Sequence, residues 1–595
     1  QKMSATTTTE HAAKQKRSLA RYLPILQWLP KYDRSWLNAD ILAGLTLWGL
    51  VVPEAMAYAG VAGLPPQAGL YTLLAALLVY AIFGTSRHLV VQATSATAAL
   101  LASAVVATLI TTDILTDTAA PIDPVIYQQY ATAFVLVVGV VFLLAGIARL
   151  GFITQFLSKP VMSGFIVGLA AFVAVGQLNK LFGVEKPDGN TVEKLIGIIR
   201  ELPQANWVTF AVGISALGLL FLLPRLNKKF PAGLVVLFGY IALSTVFNLN
   251  INHGVEIVGT LPQGLPSFSI PKVPLTAILA MILPAVGVLL LAYSEALGVA
   301  REFAEKHGYE VDPNQELNAH AVANILSSLF GGMIAAGSMS ASAVKEGAGA
   351  RSQVTNLVTW GATIVTVLFL TPLFKNLPEA VLAALIIHAV SHILVSRKLE
   401  RIRLVSRTEF WLAVLTFAGV VLVDVLQGMI IGLMASLLLV IYQSSRPHMA
   451  ILGRVPGVAD AYADLERHPE IVPLPGILIF RLDAQLYYAN ALTVRDQIKK
   501  ITDESDPPPH AVLLDAIPQA SLDLTSAEVL MGLVKELKAK GISVHVAGAH
   551  TPVLEFARKT GLAEVIGEEN IHPTMDAAVE AIEAAHQEKT SESQG

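Results

Sequence analysis

The chain has 595 residues, of which 54% are hydrophobic and only 14% charged. Soluble domains carry about a quarter charged residues, so this composition points to a membrane protein. The net charge of −4 argues against nucleic acid as a partner, and the absence of cysteine removes disulfides, thiolate catalysis and Cys-based metal sites together.

The first segment, residues 1–39, carries Lys14, Lys16, Arg17 and Arg21 ahead of a polar stretch containing Trp and Pro. It lacks the short apolar core and small-residue cleavage site of a secretory signal, so its bases are expected to hold the N-terminus in the cytoplasm. From residue 40 to 446 about fourteen apolar segments follow, near 41–58, 67–83, 94–110, 131–148, 160–178, 207–223, 231–247, 275–293, 317–331, 340–348, 353–373, 378–395, 409–424 and 427–443. No Asp, Glu, Lys or Arg occurs between Glu54 and Arg87, between Arg87 and Asp113, or between Val273 and Ser294. Such runs can cross a hydrocarbon core of about 30 Å as helices. Basic clusters at Arg225/Lys228/Lys229 and Arg397/Lys398/Arg401/Arg403/Arg407 mark cytoplasmic connections. The even number of spans returns the C-terminus to the N-terminal side, in a multi-pass protein of the inner (plasma) membrane.

Two stretches echo each other: Pro53-Glu54-Ala55-Met56-Ala57 and Ser294-Glu295-Ala296-Leu297-Gly298. Roughly forty residues beyond each lies a second matched pair, Ala93–Ala98 and Met339–Ala343. The echo crosses the Pro-rich loop 249–274 and indicates two seven-segment repeats, about 40–248 and 275–446. Seven is odd, so the second repeat enters the membrane inverted. After Arg446 the chain becomes more charged and alternates strand with helix. Strands are expected at 476–482, 511–515 and 542–547, and helices at 490–501, 526–540, 552–560 and 575–585, giving a small α/β domain over 447–586. The tail 587–595 is expected to be disordered.

Glu54 lies more than ten residues inside its span, where an ionised carboxylate costs at least about 2.5–3.5 kcal/mol and so marks a functional site. Pro53 should break or kink that helix. Glu295 follows a long charge-free run, so depth alone could place it near an interface; its match with Glu54 argues for the same role. If Thr94 and Ser340 start short helices midway through the membrane, their free N–H groups form an anion site without a basic side chain. Hydroxyls of Thr94, Ser95, Ser338, Ser340 and Ser342 would line it. Such Ala/Ser/Thr/Gly runs equally serve close helix packing, although Gly331-Gly332 and Gly337 favour a break. Two carboxylates beside an anion repel it unless a proton binds first, which makes anion–proton symport the simplest coupling; Na⁺ is the alternative. Asp312-Pro313-Asn314-Gln315-Glu316 reads as a helix start, and Asp424 as a turn residue. His88, His388, His392 and His448 show no metal-ligand spacing, and no nucleophile motif suggests an enzyme.

At this point the chain resembles the SulP family of anion permeases. Val52-Pro53-Glu54-Ala55-Met56-Ala57-Tyr58-Ala59, continuing from Ala62 to Tyr71, looks like the family's first-helix signature. Phe303–Tyr309 with Asp312–Glu316, Gly337-Ser338-Met339-Ser340 and Gly347–Arg351 is similar to that of the second repeat. The C-terminal region, with Leu514-Asp515 and Asp523-Leu524-Thr525, resembles a STAS domain. The resemblance implies a core moving elevator-like against a gate, a homodimer, and an anion site between the third and tenth helices. It places Glu54, Tyr58, Thr94, Ser95, Glu295, Ser338 and Ser340 at or near the substrate, and makes Thr525 a possible regulatory or partner-docking residue. The chain departs from the family in having Glu54 for a frequent Gln, Gln92-Ala93 for a Gly-Pro pair, and Ala341 where many animal members have Arg. With no fixed positive charge at 341, neutralisation by a proton becomes more necessary. The expected function is proton-coupled uptake of sulfate, bicarbonate or a dicarboxylate, with no cofactor or metal. A Na⁺-coupled bicarbonate carrier, an exchanger and a STAS-linked signalling protein are the alternatives.

Overall fold

The computed structural model describes residues 23–115, 122–152, 158–187, 189–226, 232–394, 398–458, 460–468 and 470–592. Lys14, Lys16, Arg17, Arg21, Lys228, Lys229 and Arg397 lie outside them. The chain divides into two compact units, Gln1–Ser436 and Leu437–Gly595.

In the first unit a helix forms in each of the fourteen apolar segments. The first four are α1 (Leu37–Val61), α2 (Pro66–Phe83), α3 (Ser95–Thr111) and α4 (Pro124–Ile147). Then follow α5 (Lys159–Phe182), α6 (Trp207–Leu226), α7 (Ala232–Phe247), α8 (Leu275–His307) and α9 (Pro313–Leu329). The last five are α10 (Met339–Gly347), α11 (Val354–Val365), α12 (Glu379–Leu394), α13 (Arg407–Leu422) and α14 (Val425–Ser445). Among the described residues eight helices are long and apolar enough to cross a membrane. Proline sets several starts: Pro66, Pro124 and Pro313 each open a helix, where the missing N–H costs nothing. Asp123 and Asp312 cap the latter two, accepting from Val125 N at 2.7 Å and Asn314 N at 2.9 Å.

Two expectations change. α1 runs through Pro53 without a break. α8 does not stop near residue 293 but continues to His307, 33 residues in all. Its extension is amphipathic, with Val299, Ala300, Phe303 and Ala304 buried while Arg301, Glu302 and Lys306 face outward. Glu295 therefore lies well inside one continuous helix. Glu316 is also more than part of a helix start: buried, it accepts from the Tyr80 hydroxyl at 2.8 Å and from Thr85 N and Oγ1 at 2.7 and 2.6 Å.

Packing sorts the fourteen helices into two groups. α1–α4 pack mainly among themselves and with α8–α11, whereas α5–α7 pack mainly with α12 and α13, and α14 lies against α13 at Gly428 and Gly432. The start of α1 is fixed by Asp40, fully buried. Its carboxylate accepts from Arg351 N (2.8 Å), Ser352 Oγ (2.7 Å), Thr355 Oγ1 (2.9 Å) and the Tyr32 hydroxyl (3.1 Å), joining α1 to the start of α11.

The second unit contains a six-stranded sheet in the order β4-β3-β5-β6-β7-β8, counting β3 (Met449–Arg454), β4 (Tyr462–Asp464), β5 (Ile477–Leu482), β6 (Ala511–Asp515), β7 (Ser543–Ala547) and β8 (Ile571–His572). β5 to β8 are parallel, and β3 is antiparallel to both its neighbours. The strands alternate faces. Phe480, Val512 and Val544 pack under α15 (Ala491–Glu504), α16 (Leu524–Ala539), α17 (Thr551–Thr560) and α18 (Leu562–Ile566). Ile479, Leu513 and Ala547 pack under α19 (Met575–Glu592). α19 takes in Gln587–Glu592, which had been expected to be disordered.

Two outcomes test this architecture. Asp40→Ala removes the acceptor of five donors, among them the buried Ser352 N, Ser352 Oγ and Thr355 Oγ1, and should cost about 3 kcal/mol, read as a lower melting temperature of the purified protein. In the second unit, burial, His572 and Lys538 lower the pKa of His545 to about 4. The folded domain therefore binds this proton less readily than the unfolded chain, whose histidine titrates near about 6.5. Stability from His545 is full above about 6.5 and is lost as pH falls towards about 4. His545→Asn should flatten the melting temperature of segment 447–595 across that window.

Candidate functional site

Between α2 and α3 the chain is extended, and β1 (Val90–Gln92) pairs antiparallel with β2 (Ala336–Ser338), the segment leading into α10. Val90 sits opposite Ser338, Val91 opposite Gly337 and Gln92 opposite Ala336. α3 and α10 thus begin at the two ends of one short ribbon inside the helix bundle. The first N–H groups of each have no helical carbonyl to bond, so both helix starts present donors and positive dipole ends.

Local chemistry explains both starts. Thr94 caps α3, accepting from Thr97 N at 3.2 Å, while Thr97 Oγ1 accepts from Thr94 N at 3.1 Å, a reciprocal capping box. α10 begins one residue before the serine expected to start it: Ser338, two residues ahead of Ser340, is its cap, accepting from Ala341 N at 3.3 Å, and Ser340 lies in the first turn, exposed. Ser342 is removed from the set of pocket hydroxyls. It is fully buried, donates to Ser338 O at 2.6 Å and accepts from Val90 N at 2.9 Å, so it fastens the ribbon.

The carboxylate of Glu54 comes to this ribbon from α1. Gln92 Nε2 donates to Glu54 Oε2 at 3.1 Å and to Ser338 Oγ at 3.4 Å, and Ser338 Oγ lies 3.2 Å from Ser340 Oγ. Gln92 Oε1 is buried without a hydrogen-bond partner among the described residues. Glu54 is 9% exposed and makes no ion pair among the described residues. The buried Tyr58 hydroxyl, one turn along α1, lies within electrostatic reach of both Glu54 and Glu295. Hydrogen bonds therefore connect Glu54, Gln92, Ser338 and Ser340, Tyr58 and Glu295 lie within electrostatic reach, and Thr94 and Ser95 stand at the start of α3. Thr525 belongs to the second unit, exposed in the first turn of α16 behind its cap Asp523.

Close backbone approaches hold this geometry. A Cβ at Gly337 would lie 2.7 Å from both Ala296 Cα and Cβ, beside Glu295, and one at Gly69 would lie 1.9 Å from the carbonyl oxygen of Ala55, beside Glu54. Two residues were not expected. Gln92 stood out only as a departure from a family pattern, with no role attached. Lys345 gave no signal, yet it is fully buried on α10 with Nζ donating to Asn356 Oδ1 at 3.0 Å, near Asp40. α10 thus carries a basic side chain after all, one turn beyond Ala341. Asp424 lies in the turn between α13 and α14 and accepts from Ser103 Oγ. His88 stacks on His307 at 4.2 Å, and the described residues contain no metal-holding cluster of His, Asp and Glu.

Beyond the ribbon, Met56 and Ala57 line a cavity of about 420 Å³. Its far wall carries the ion pair of Lys180 on α5 with Glu379 on α12, 2.9 Å apart.

A buried carboxylate, opposed helix starts at broken membrane spans and an α/β C-terminal unit define a secondary transporter of anions. Comparison with known proteins agrees: residues 37–416 match the sulfate permease family and 468–578 the STAS domain. The chain belongs to the sulfate permease family. A probable sulfate transporter of Mycobacterium tuberculosis is 33% identical over 94% of this chain and 98% of its own length. Chloroplastic sulfate transporter 4.1 of Arabidopsis thaliana is 29% identical over 95% of this chain and 84% of its own. Among solved structures, the murine Solute Carrier 26 family member A9 anion transporter superposes with a TM-score of 0.87 at 24% identity, covering 98% of this chain and 97% of that one. The transmembrane domain of the cyanobacterial bicarbonate transporter BicA gives 0.58 at 21%, covering 68% and 98%. The protein is a transporter and not an enzyme.

The close approach at β2 makes a contrast to measure. Gly337→Ala must push β2 off α8 and should lower both the melting temperature and anion uptake. Gly347→Ala, with no atom within 4 Å of the added carbon, should leave both unchanged or raise stability slightly.

Proposed function

We propose that the protein carries a small oxyanion, sulfate first, together with a proton. The anion would bind between the starts of α3 and α10, against Ser338, Ser340, Thr94, Ser95 and Tyr58. The observation that carries the reading is the environment of Glu54. It is buried beside the helix starts that would hold the anion, its hydrogen-bond partner is the neutral Gln92, and no cation pairs with it. An uncompensated charge there is costly, and an anion beside it adds repulsion. Protonation removes both penalties. The Gln92 amide suits either state: Nε2 donates to the carboxylate, and the unpartnered Oε1 can accept from a carboxylic acid. Glu295, sensed by the same Tyr58, is the second site for the coupling proton. Sulfate is favoured over bicarbonate and dicarboxylates by the names of the relatives.

In this reading the group α1–α4 with α8–α11 carries the site and slides against α5–α7 with α12–α14, in an elevator-like cycle. The protein works as a homodimer in the inner (plasma) membrane with both termini cytoplasmic. The STAS domain, with Thr525 exposed, serves regulation or a protein partner.

The test is the internal pH of proteoliposomes as sulfate, bicarbonate, succinate, fumarate or chloride is added outside without Na⁺, with isotope uptake in parallel for bicarbonate. Sulfate should acidify the lumen, and Glu54→Gln and Glu295→Gln should abolish acidification while the proteins still purify and melt as the parent does. Sulfate uptake that needs Na⁺ and moves no proton would replace the proton with Na⁺ as the coupling ion.

A further inference from the structure

The cavity of about 420 Å³ beyond the ribbon lies at the end of the bundle where α1 finishes and α4 and α12 start. It touches α1 at Met56 and Ala57, between Glu54 and Tyr58 in the chain. Its two sides differ. The side formed by α1, the loop after it and α4 presents glycine, proline and apolar side chains with the amide of Gln128. The side formed by α5 and α12 carries both charged side chains of the lining, Lys180 and Glu379, together with Gln177.

Two donor groups on that side are unused. An ammonium has three N–H groups. Lys180 Nζ faces Glu379 Oε2 at 2.9 Å, and no other described residue pairs with it. Gln177, one turn before Lys180 on the same face of α5, is 5% exposed, lines the cavity and makes no hydrogen bond with a described residue. A buried amide in that position calls for a partner. Gly60 of α1 leaves room beside the ammonium, since a Cβ there would lie 3.3 Å from Nζ. An ammonium and an amide side by side suit an anion. A cation would meet the ammonium, and the one carboxylate of the lining is already paired. The cavity of about 420 Å³ has the volume of about a dozen waters at about 30 Å³ each, so an anion can enter with part of its hydration shell.

We propose that Gln177 and Lys180 form a second, weaker site for the transported anion, a waiting position between solution and the ribbon. The ammonium and the Gln177 amide take oxygens of the anion. Glu379 limits the hold, because its carboxylate leaves that side of the cavity with no net charge. Passage needs binding favourable enough to enter and weak enough to leave. The inference rests on the reading of the ribbon as the principal anion site. Both residues belong to the α5–α7 group, so this position stays behind when the ribbon moves.

The test is uptake of radiolabelled sulfate into proteoliposomes with equal pH on both sides, read as KM and maximal rate. Lys180→Gln should raise KM about tenfold, the size of a lost charge-assisted hydrogen bond, with a much smaller change in maximal rate. Gln177→Leu should raise KM as well, and Lys180→Arg should retain the parent value. Glu379→Gln should act in the opposite sense: the freed ammonium holds the anion more tightly, so KM falls about threefold and the maximal rate drops. A merely structural ion pair is broken equally by Lys180→Gln and Glu379→Gln. Shifts of KM in the same direction in those two variants, or an unchanged KM in Lys180→Gln, would overturn the proposal. Should either variant melt below the parent, Gln177→Leu, which leaves the pair intact, decides by its KM alone. A parent protein that takes up bicarbonate or succinate in place of sulfate is assayed with that anion radiolabelled. Failure of the ribbon reading shows elsewhere, as acidification retained in Glu54→Gln and Glu295→Gln and uptake unaltered in Ser340→Ala.

Discussion

The six residues of β1 and β2 hold the centre of the transport unit together, and the constraint behind them is backbone hydrogen bonding in a low-dielectric interior. Two membrane spans are broken there so that α3 and α10 can begin inside the bundle. Extended backbone in such a place must find partners for every N–H and C=O. The strands satisfy part of the need by pairing with each other. Side chains from the surrounding helices satisfy more: Asn324 brackets Ala335 through N and O at 2.9 and 3.0 Å, and Thr72 Oγ1 takes Met333 N at 2.8 Å. Ser327 Oγ donates to Met333 O at 2.6 Å, and Gln353 holds the carbonyl of Leu89. The polar residues of α2, α9 and α11 that look anomalous in membrane helices have this work to do.

Charge is arranged around the same ribbon in two compartments. On one side Glu54 meets the Gln92 amide, which also reaches the Ser338 hydroxyl, with Tyr58 and Glu295 within electrostatic reach and no cation paired with Glu54 among the described residues. On the other, Lys345 is buried against Asn356 within reach of Asp40, whose carboxylate is saturated by donors at the start of α11. Lys345 and Glu54 belong to adjoining helices, yet each has its own partner. Had the lysine paired directly with Glu54, the carboxylate would be held ionised and could not cycle with a proton. In the proposed cycle, keeping them apart leaves Glu54 free to take up and release a proton.

This division also explains how far the sequence could be read. The fourteen spans, the buried Glu54 and the α/β unit follow from hydropathy, depth and alternation, which are local and periodic. Thr94 could be placed because a capping residue lies beside the helix it starts. The ribbon could not, since three-residue strands are too short to show a period and their partners are more than 240 residues apart. Ser338 and Ser340 both suit a helix start, and the pairing of Ser338 with Val90 is what places the cap at Ser338. Gln92 was visible as an exception but not as a bridge, because its partners come from α1 and β2. The continuation of α8 to His307 was missed since charges at 301, 302 and 306 look like an end until Phe303 and Ala304 are seen to be buried.

The polar contacts differ in kind within and between the two helix groups. Within the first group, Asp40, Glu316, Asn324 and the Trp48 indole, bonded to Thr366 Oγ1 at 2.9 Å, tie distant segments through buried hydrogen bonds. Between the groups the polar contacts are fewer among the described residues: Ser103 Oγ of α3 donates to Asp424 in the turn between α13 and α14, and the others are more peripheral. Asn376 reaches Thr245 at 3.0 Å in an exposed position, and Lys180, paired within its own group, stands close enough to the end of α1 that a Cβ on Gly60 would lie 3.3 Å from its Nζ. Ion pairs as exposed as Lys180–Glu379 contribute about 0–1 kcal/mol. Much of the remaining contact between groups is apolar, as where α1 at Gly49 meets Leu234 of α7. Apolar contact has no preferred direction and can be exchanged for similar contact after a displacement. A body stitched mostly by directional bonds inside and touched mostly by non-directional ones outside suits the elevator-like cycle proposed above, in which it would carry the ribbon and Glu54 as one piece.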